Sequence, residues 1–94
     1  MFRHVAIIGL GLQGGSIGLA VQAGLPDVAT SGYDISPANR ARAAELGLVA
    51  NVCDSPEAAV EGADLVIFCV PPGAIGPVAA AMREAIRPDA LVSD

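Results

Sequence analysis

The sequence has no tryptophan and no lysine, and its 94 residues include only one histidine, one tyrosine, two phenylalanines and two cysteines. Without lysine, every base is an arginine: Arg3, Arg40, Arg42, Arg83 and Arg87 stand against ten carboxylates, for a formal charge of −5. That leaves no basic stripe to neutralise a nucleic-acid backbone or an anionic bilayer, so neither is expected as a partner. Cys53 and Cys69 are too few for a disulfide scaffold and too far apart for a CxxC redox pair or a zinc knuckle. Reduced thiols in a cytoplasmic protein are the expectation. The apolar run after His4 is too short for the core of a signal peptide, and no run approaches the roughly twenty residues needed to span a bilayer. Charged residues make up only 16% of the chain and apolar ones 53%, which excludes intrinsic disorder. There is room for one domain with one modest core.

What the sequence does contain is a regular alternation of short apolar runs and helical segments. Val5 to Ile8 is a continuous β-branched run ending at Gly9, the pattern of a parallel strand covered on both faces. From Gly14 onward Ile17, Ala20, Val21 and Gly24 fall at helical spacing, and Gly24-Leu25-Pro26 supplies a stop. A short strand is predicted over Ala29–Tyr33, ending at Asp34. Ser36-Pro37 is a helix start, with serine as N-cap and proline at the first helical position, and Gly47 ends that helix after Leu46. Leu48 to Cys53 reads as a third strand. Ser55-Pro56-Glu57 repeats the cap chemistry and opens a helix of about two turns ending near Gly62. Leu65 to Val70 is the clearest buried strand, stopped by Pro71-Pro72-Gly73. Ile75, Val78, Ala79, Met82, Ala85 and Ile86 mark one face of a helix closed by Pro88, and Ala90 to Ser93 begins a fifth strand.

Strands alternating with helices in this way predict an α/β fold, a parallel sheet with helices on both faces. Right-handed crossovers then favour the doubly wound order 3-2-1-4-5. The fifth strand has barely formed at Asp94, which leaves an edge and an apolar face that a further segment would normally cover. Residues 1–94 are therefore expected to be one domain, incomplete at its C-terminal end.

Gly9-Leu10-Gly11-Leu12-Gln13-Gly14 is a GxGxxG run directly after a predicted strand and before a predicted helix. Gly9 makes the sharp turn, Gly11 lets the backbone approach a pyrophosphate, and Gly14 lets helix and strand pack closely. The anion sits at the helix N-terminus, where unpaired N–H groups and the macrodipole compensate it without any cation. An acidic chain can thus bind an anionic coenzyme. Asp34 lies twenty residues beyond Gly14 at the end of the second strand, where a carboxylate accepts from the adenosine ribose. Together these make a Rossmann-type dinucleotide site. The carboxylate accepts from a 2′-hydroxyl and repels a 2′-phosphate, so NAD is expected over NADP. Arg40, six residues on, either swings toward a 2′-phosphate or lies solvated on its helix.

Val70, Pro71 and Pro72 fall at the carboxyl end of the fourth strand, where the strand order reverses. They serve either as an apolar wall beside the ribose and nicotinamide or as a plain strand terminator. His4, before the first strand, is about 16 Å from the opposite end and so structural or solvated rather than catalytic. Cys69 is expected to pack as a small hydrophobe inside the fourth strand. No nucleophile–base constellation and no metal-ligand spacing is present.

The run Val5-Ala6-Ile7-Ile8-Gly9-Leu10-Gly11-Leu12-Gln13-Gly14-Gly15-Ser16-Ile17-Gly18 resembles the opening of the prephenate/arogenate dehydrogenase family. Gly32-Tyr33-Asp34, the stretch from Ala63 to Pro72 and the ending Leu91-Val92-Ser93-Asp94 are similar to it too. The resemblance covers essentially the whole chain but only the first part of a family member. It implies oxidative decarboxylation of prephenate or arogenate with hydride transfer to NAD or NADP on the way to tyrosine, in a homodimer. It implies that Gly9, Gly11, Leu12, Gln13 and Gly14 surround the pyrophosphate, that Asp34 holds the ribose, and that Val70, Pro71 and Pro72 lie on the nicotinamide side. The groups that act on the substrate come after the position of Asp94 in that family, so no catalytic residue is assigned here and this chain alone is expected to be inactive. Two other functions are compatible with the same module. One is the cofactor domain of another dehydrogenase or reductase, of the 3-hydroxyacid, 6-phosphogluconate or pyrroline-5-carboxylate type. The other is a nucleotide-sensing domain with no enzymatic activity.

Overall fold

A computed structural model of the chain describes residues 2–69, 80, 85–87 and 89–93. In chain order the elements are β1 (His4–Ile8), α1 (Leu12–Gly24), β2 (Ala29–Tyr33), α2 (Pro37–Leu46), β3 (Asn51–Val52), α3 (Pro56–Val60), β4 (Leu65–Phe68) and β5 (Leu91–Ser93). The strands form one parallel sheet in the order β3-β2-β1-β4-β5, as expected from the sequence. Register sets the geometry of everything that follows. Ile8 pairs with both Tyr33 and Phe68, so Gly9, Asp34 and Cys69 leave the sheet at the same level of its carboxyl edge.

The central strand explains why its run shows no alternation. Ala6 and Ile8 face a core built with Ala59, Val60, Ala63, Val66 and Phe68. Val5 and Ile7 face a second core with Leu10, Val28, Ala43, Leu48 and Val49. Val5, Ile7 and Ile8 are all essentially inaccessible, and each contributes about 1.5–3 kcal/mol of apolar burial. A polar residue on either face of β1 has no place to go.

The cap chemistry read from the sequence is present. The Ser36 hydroxyl accepts the Asn39 N–H at 3.3 Å and the Ser55 hydroxyl accepts the Ala58 N–H at 3.2 Å, each with proline in the first turn. Gly47 ends α2 in the left-handed conformation, at φ 64°.

Several boundaries move. β3 is two residues, Asn51–Val52, rather than Leu48 to Cys53, because Leu48 and Val49 turn into the core below α1 instead of pairing. α3 is a single turn and a half, Pro56–Val60. β4 ends at Phe68, and Val70 lies outside the described residues, as does most of the helix predicted over 75–86. α1 begins at Leu12, two positions before Gly14.

The largest correction concerns which face α1 buries. Ile17 and Val21 do pack against the second core, but Ala20 and Gly24 are exposed, and the buried residues of the helix are Gly14, Gly15 and Gly18. A Cβ on Gly14 would run into the Gly9 carbonyl, one on Gly15 would lie 2.7 Å from Leu48 Cδ1, and one on Gly18 would meet the Leu48 carbonyl. The helix lies so close to the sheet that its contact stripe is made of residues without side chains. Hydrophobic periodicity gives such residues no weight, so it finds Ile17 and Val21 but adds the exposed Ala20 and Gly24 and misses Gly15 and Gly18.

Candidate functional site

At the carboxyl edge of β1 the chain has to reverse direction within three residues to enter α1. Gly9 does this at φ 103°, a conformation that costs side-chain-bearing residues dearly, while its N–H donates to the Tyr33 carbonyl at 2.7 Å. Gly11 then caps α1 with no side-chain hydrogen bond, and the first turn of the helix carries no acidic residue. The N–H groups that open the helix are therefore left for an external acceptor. A Cβ added to Gly11 would meet nothing within 4 Å, whereas one added to Gly14 collides with the Gly9 carbonyl. The three glycines thus have three separate reasons to be glycine: a turn, an open approach, and a close helix–strand contact. Leu12 and Gln13 are both exposed at the mouth of the loop, Leu12 at 92%.

Asp34 follows β2 immediately and is only 8% exposed. Its Oδ2 accepts the Leu10 N–H at 2.7 Å and its Oδ1 accepts the Ser36 N–H at 2.8 Å. Each carboxylate oxygen has two acceptor sites, so both can accept one further hydrogen bond while holding the loop. This brings Asp34 beside Gly9 and Gly11, the arrangement needed for a carboxylate that grips a ribose next to a diphosphate. Gly32 makes the approach possible, because a Cβ there would stand 2.8 Å from Leu10 Cδ2. Its role was not read from the sequence, although a glycine in the middle of a strand is the signal that could have shown it.

Arg40 is half-buried and folded back onto the end of β2. Its Nη1 donates to the Asp34 carbonyl at 2.8 Å and to the Ile35 carbonyl at 3.4 Å, and its guanidinium stands 5.6 Å from the centre of the Tyr33 ring. Val70, Pro71 and Pro72 lie outside the described residues.

The remaining candidates are structural. His4 is the first residue of β1, at the end of the strand opposite Gly9, and its Nε2 lies 2.7 Å from the Ser31 hydroxyl. Cys69 lies just beyond β4 rather than within it, packed against the second core and against Gly14. Burial pushes its thiol above the usual cysteine range. Cys53 is also raised, by burial first and by the neighbouring Asp54 charge, against a backbone hydrogen bond from Gly32 that lowers it. Neither has the electropositive surroundings of a reactive thiolate. Among the described residues there is no group of His, Cys, Asp or Glu that could hold a metal ion, and no helix is long and apolar enough to cross a membrane.

Comparison with known proteins bears on the fold and the family. The family described as prephenate dehydrogenase, nucleotide-binding domain, matches residues 17–94. Cyclohexadienyl dehydrogenase of Zymomonas mobilis is 50% identical over all 94 residues, which make up 32% of that protein. The crystal structure of prephenate dehydrogenase from A. aeolicus in complex with hydroxyphenyl propionate and NAD+ superposes with a TM-score of 0.86 at 25% identity, over 98% of this chain and 32% of that one. Synechocystis arogenate dehydrogenase, at 21% identity and a TM-score of 0.85 over 96% of this chain and 31% of its own, shares the fold. The chain spans about a third of the length of the curated relative it matches. On the match to residues 17–94 and the identity over its whole length, the chain belongs to the family of prephenate dehydrogenase nucleotide-binding domains.

Proposed function

We propose that residues 1–94 form the NAD-binding domain of a dehydrogenase that oxidatively decarboxylates prephenate or arogenate in tyrosine biosynthesis. The observation that carries coenzyme binding is the open Gly11 at an uncapped helix N-terminus, with the Asp34 carboxylate tied to the same loop through Leu10, and the reaction class is supported by the match to prephenate dehydrogenase nucleotide-binding domains. Gly9, Gly11, Leu12, Gln13 and Gly14 surround the diphosphate, with backbone N–H groups and the positive end of α1 compensating its charge. Asp34 accepts from the ribose hydroxyls and disfavours a 2′-phosphate, so NAD is preferred to NADP. The assignment of Val70, Pro71 and Pro72 to the nicotinamide side rests on the family resemblance alone, these residues lying outside the described ones. The A. aeolicus structure in complex with NAD+ supports the choice of coenzyme.

NAD, when bound, accepts the hydride; this chain's residues bind and orient it. By the family resemblance, the groups that act on the substrate and a homodimer surface are assigned to the further length that the relatives have. Residues 1–94 alone are expected to hold coenzyme and give no turnover with prephenate. Titration calorimetry with NAD and with NADP tests the reading: NAD should bind and NADP should bind more weakly. A folded protein that gives no heat with either coenzyme sinks it.

A further inference from the structure

We infer that Arg40 is a positioning residue that sets the coenzyme preference through Asp34, without touching the coenzyme itself. The inference rests on the NAD-binding reading above and deepens it. The turn from β2 into α2 has no apolar anchor of its own, since Ile35 at its centre is 79% exposed. It is held by polar contacts instead. Ser36 donates its N–H to the Asp34 carboxylate, and from the other side Arg40 reaches back from the first turn of α2 to the carbonyls of Asp34 and Ile35. Its guanidinium stands over Tyr33, whose ring packs on the first core and whose carbonyl takes the Gly9 N–H.

Arg40, Asp34 and Leu10 therefore form a continuous chain of contacts. The guanidinium fixes the Asp34 main chain, the Asp34 carboxylate fixes the Leu10 N–H, and Leu10 is the residue between the first two glycines of the loop. A charge-assisted donor on a carbonyl is among the stronger hydrogen bonds, and a planar fork pinned over an aromatic ring loses little freedom in making it. Its Nη1 is already engaged on the backbone of the β2–α2 turn, which turns the guanidinium toward the main chain of Asp34 and Ile35. Arg40 thus supports the carboxylate that favours NAD, the reverse of the role its charge and position suggest in isolation.

A double-mutant cycle on the intact protein separates these roles. NAD and NADP dissociation constants are measured for the wild type, Arg40→Ala, Asp34→Ala and the double variant, with thermal melting confirming that each is folded; Asp34→Asn replaces Asp34→Ala if the latter does not fold. Loss of a supporting hydrogen bond should weaken NAD binding about fivefold in the Asp34 background. It should have little effect once Asp34 is replaced, and the NAD-over-NADP ratio should narrow in Arg40→Ala. A ratio that widens makes Arg40 a phosphate ligand and overturns the inference. So does an NAD loss that is the same in both backgrounds, or no loss at all. A wild-type protein that binds neither coenzyme instead refutes the NAD-binding reading itself.

Discussion

The Asp34 carboxylate and the Leu10 N–H, twenty-four positions apart in the chain, meet at 2.7 Å in a buried contact. One side chain thereby performs two tasks: it holds the glycine loop in place and leaves acceptor sites for a ribose. Both should be visible in Asp34→Ala. Leaving the Leu10 N–H buried and unpaired costs about 1–3 kcal/mol, read as a lower melting temperature without coenzyme. NAD binding should fall by more than NADP binding, because the variant also removes the repulsion of a 2′-phosphate. Equal losses of both coenzymes in calorimetry would count against the ribose assignment.

Gly11 and Gly14 are three positions apart in one motif, yet the structure gives them opposite sensitivities. Gly11→Ala should change stability by about 1 kcal/mol or less, the scale of an N-cap substitution, because a methyl group there meets nothing within 4 Å. It should nonetheless reduce NAD affinity about tenfold or more, since the methyl group occupies the approach of the diphosphate. Gly14→Ala drives a methyl group into the Gly9 carbonyl, a backbone collision costing about 3 kcal/mol or more. Denaturant unfolding of the two variants, followed by titration of the folded one, checks the contrast. A stable Gly14→Ala, or a Gly11→Ala with unchanged affinity, breaks it.

These glycines also show how far the sequence can be read. Strand β1 and helix α2 are legible because their determinants are local: a β-branched run covered on both faces, and a Ser-Pro start with a Gly stop. Asp34 is legible because the spacing between the loop and the end of β2 follows from the length of one helix. The rest of the α1 contact face is not: Gly14 is marked by the GxGxxG run, but Gly15 and Gly18 carry no hydrophobic signal and their importance comes from how near Leu48 is. The role of Arg40 is hidden for a different reason. Its partners are main-chain carbonyls, and carbonyls look the same at every position of a sequence.

At the opposite edge of the sheet Asp64 ties three strands together, and this gives the fold an acid-sensitive joint. Its carboxylate accepts the N–H groups of Arg3 at 2.7 Å and His4 at 3.0 Å, its own N–H donates to the His4 carbonyl, and its carbonyl accepts from Leu91. Desolvation alone would raise its pKa, but the Arg3 and His4 N–H groups and the nearby Arg87 charge outweigh that and hold the carboxyl below its usual value. A depressed carboxyl stabilises the fold above the unfolded-state pKa of about 4, and that contribution disappears as pH falls through the lower folded-state value. Asp64→Asn should therefore melt below the wild type at pH 7, with the gap closing as the pH drops beneath about 4. Melting curves collected from pH 7 down to pH 2.5 read this directly. A gap that stays constant through the acid range means the charge on Asp64 contributes nothing and only the shape of its side chain matters.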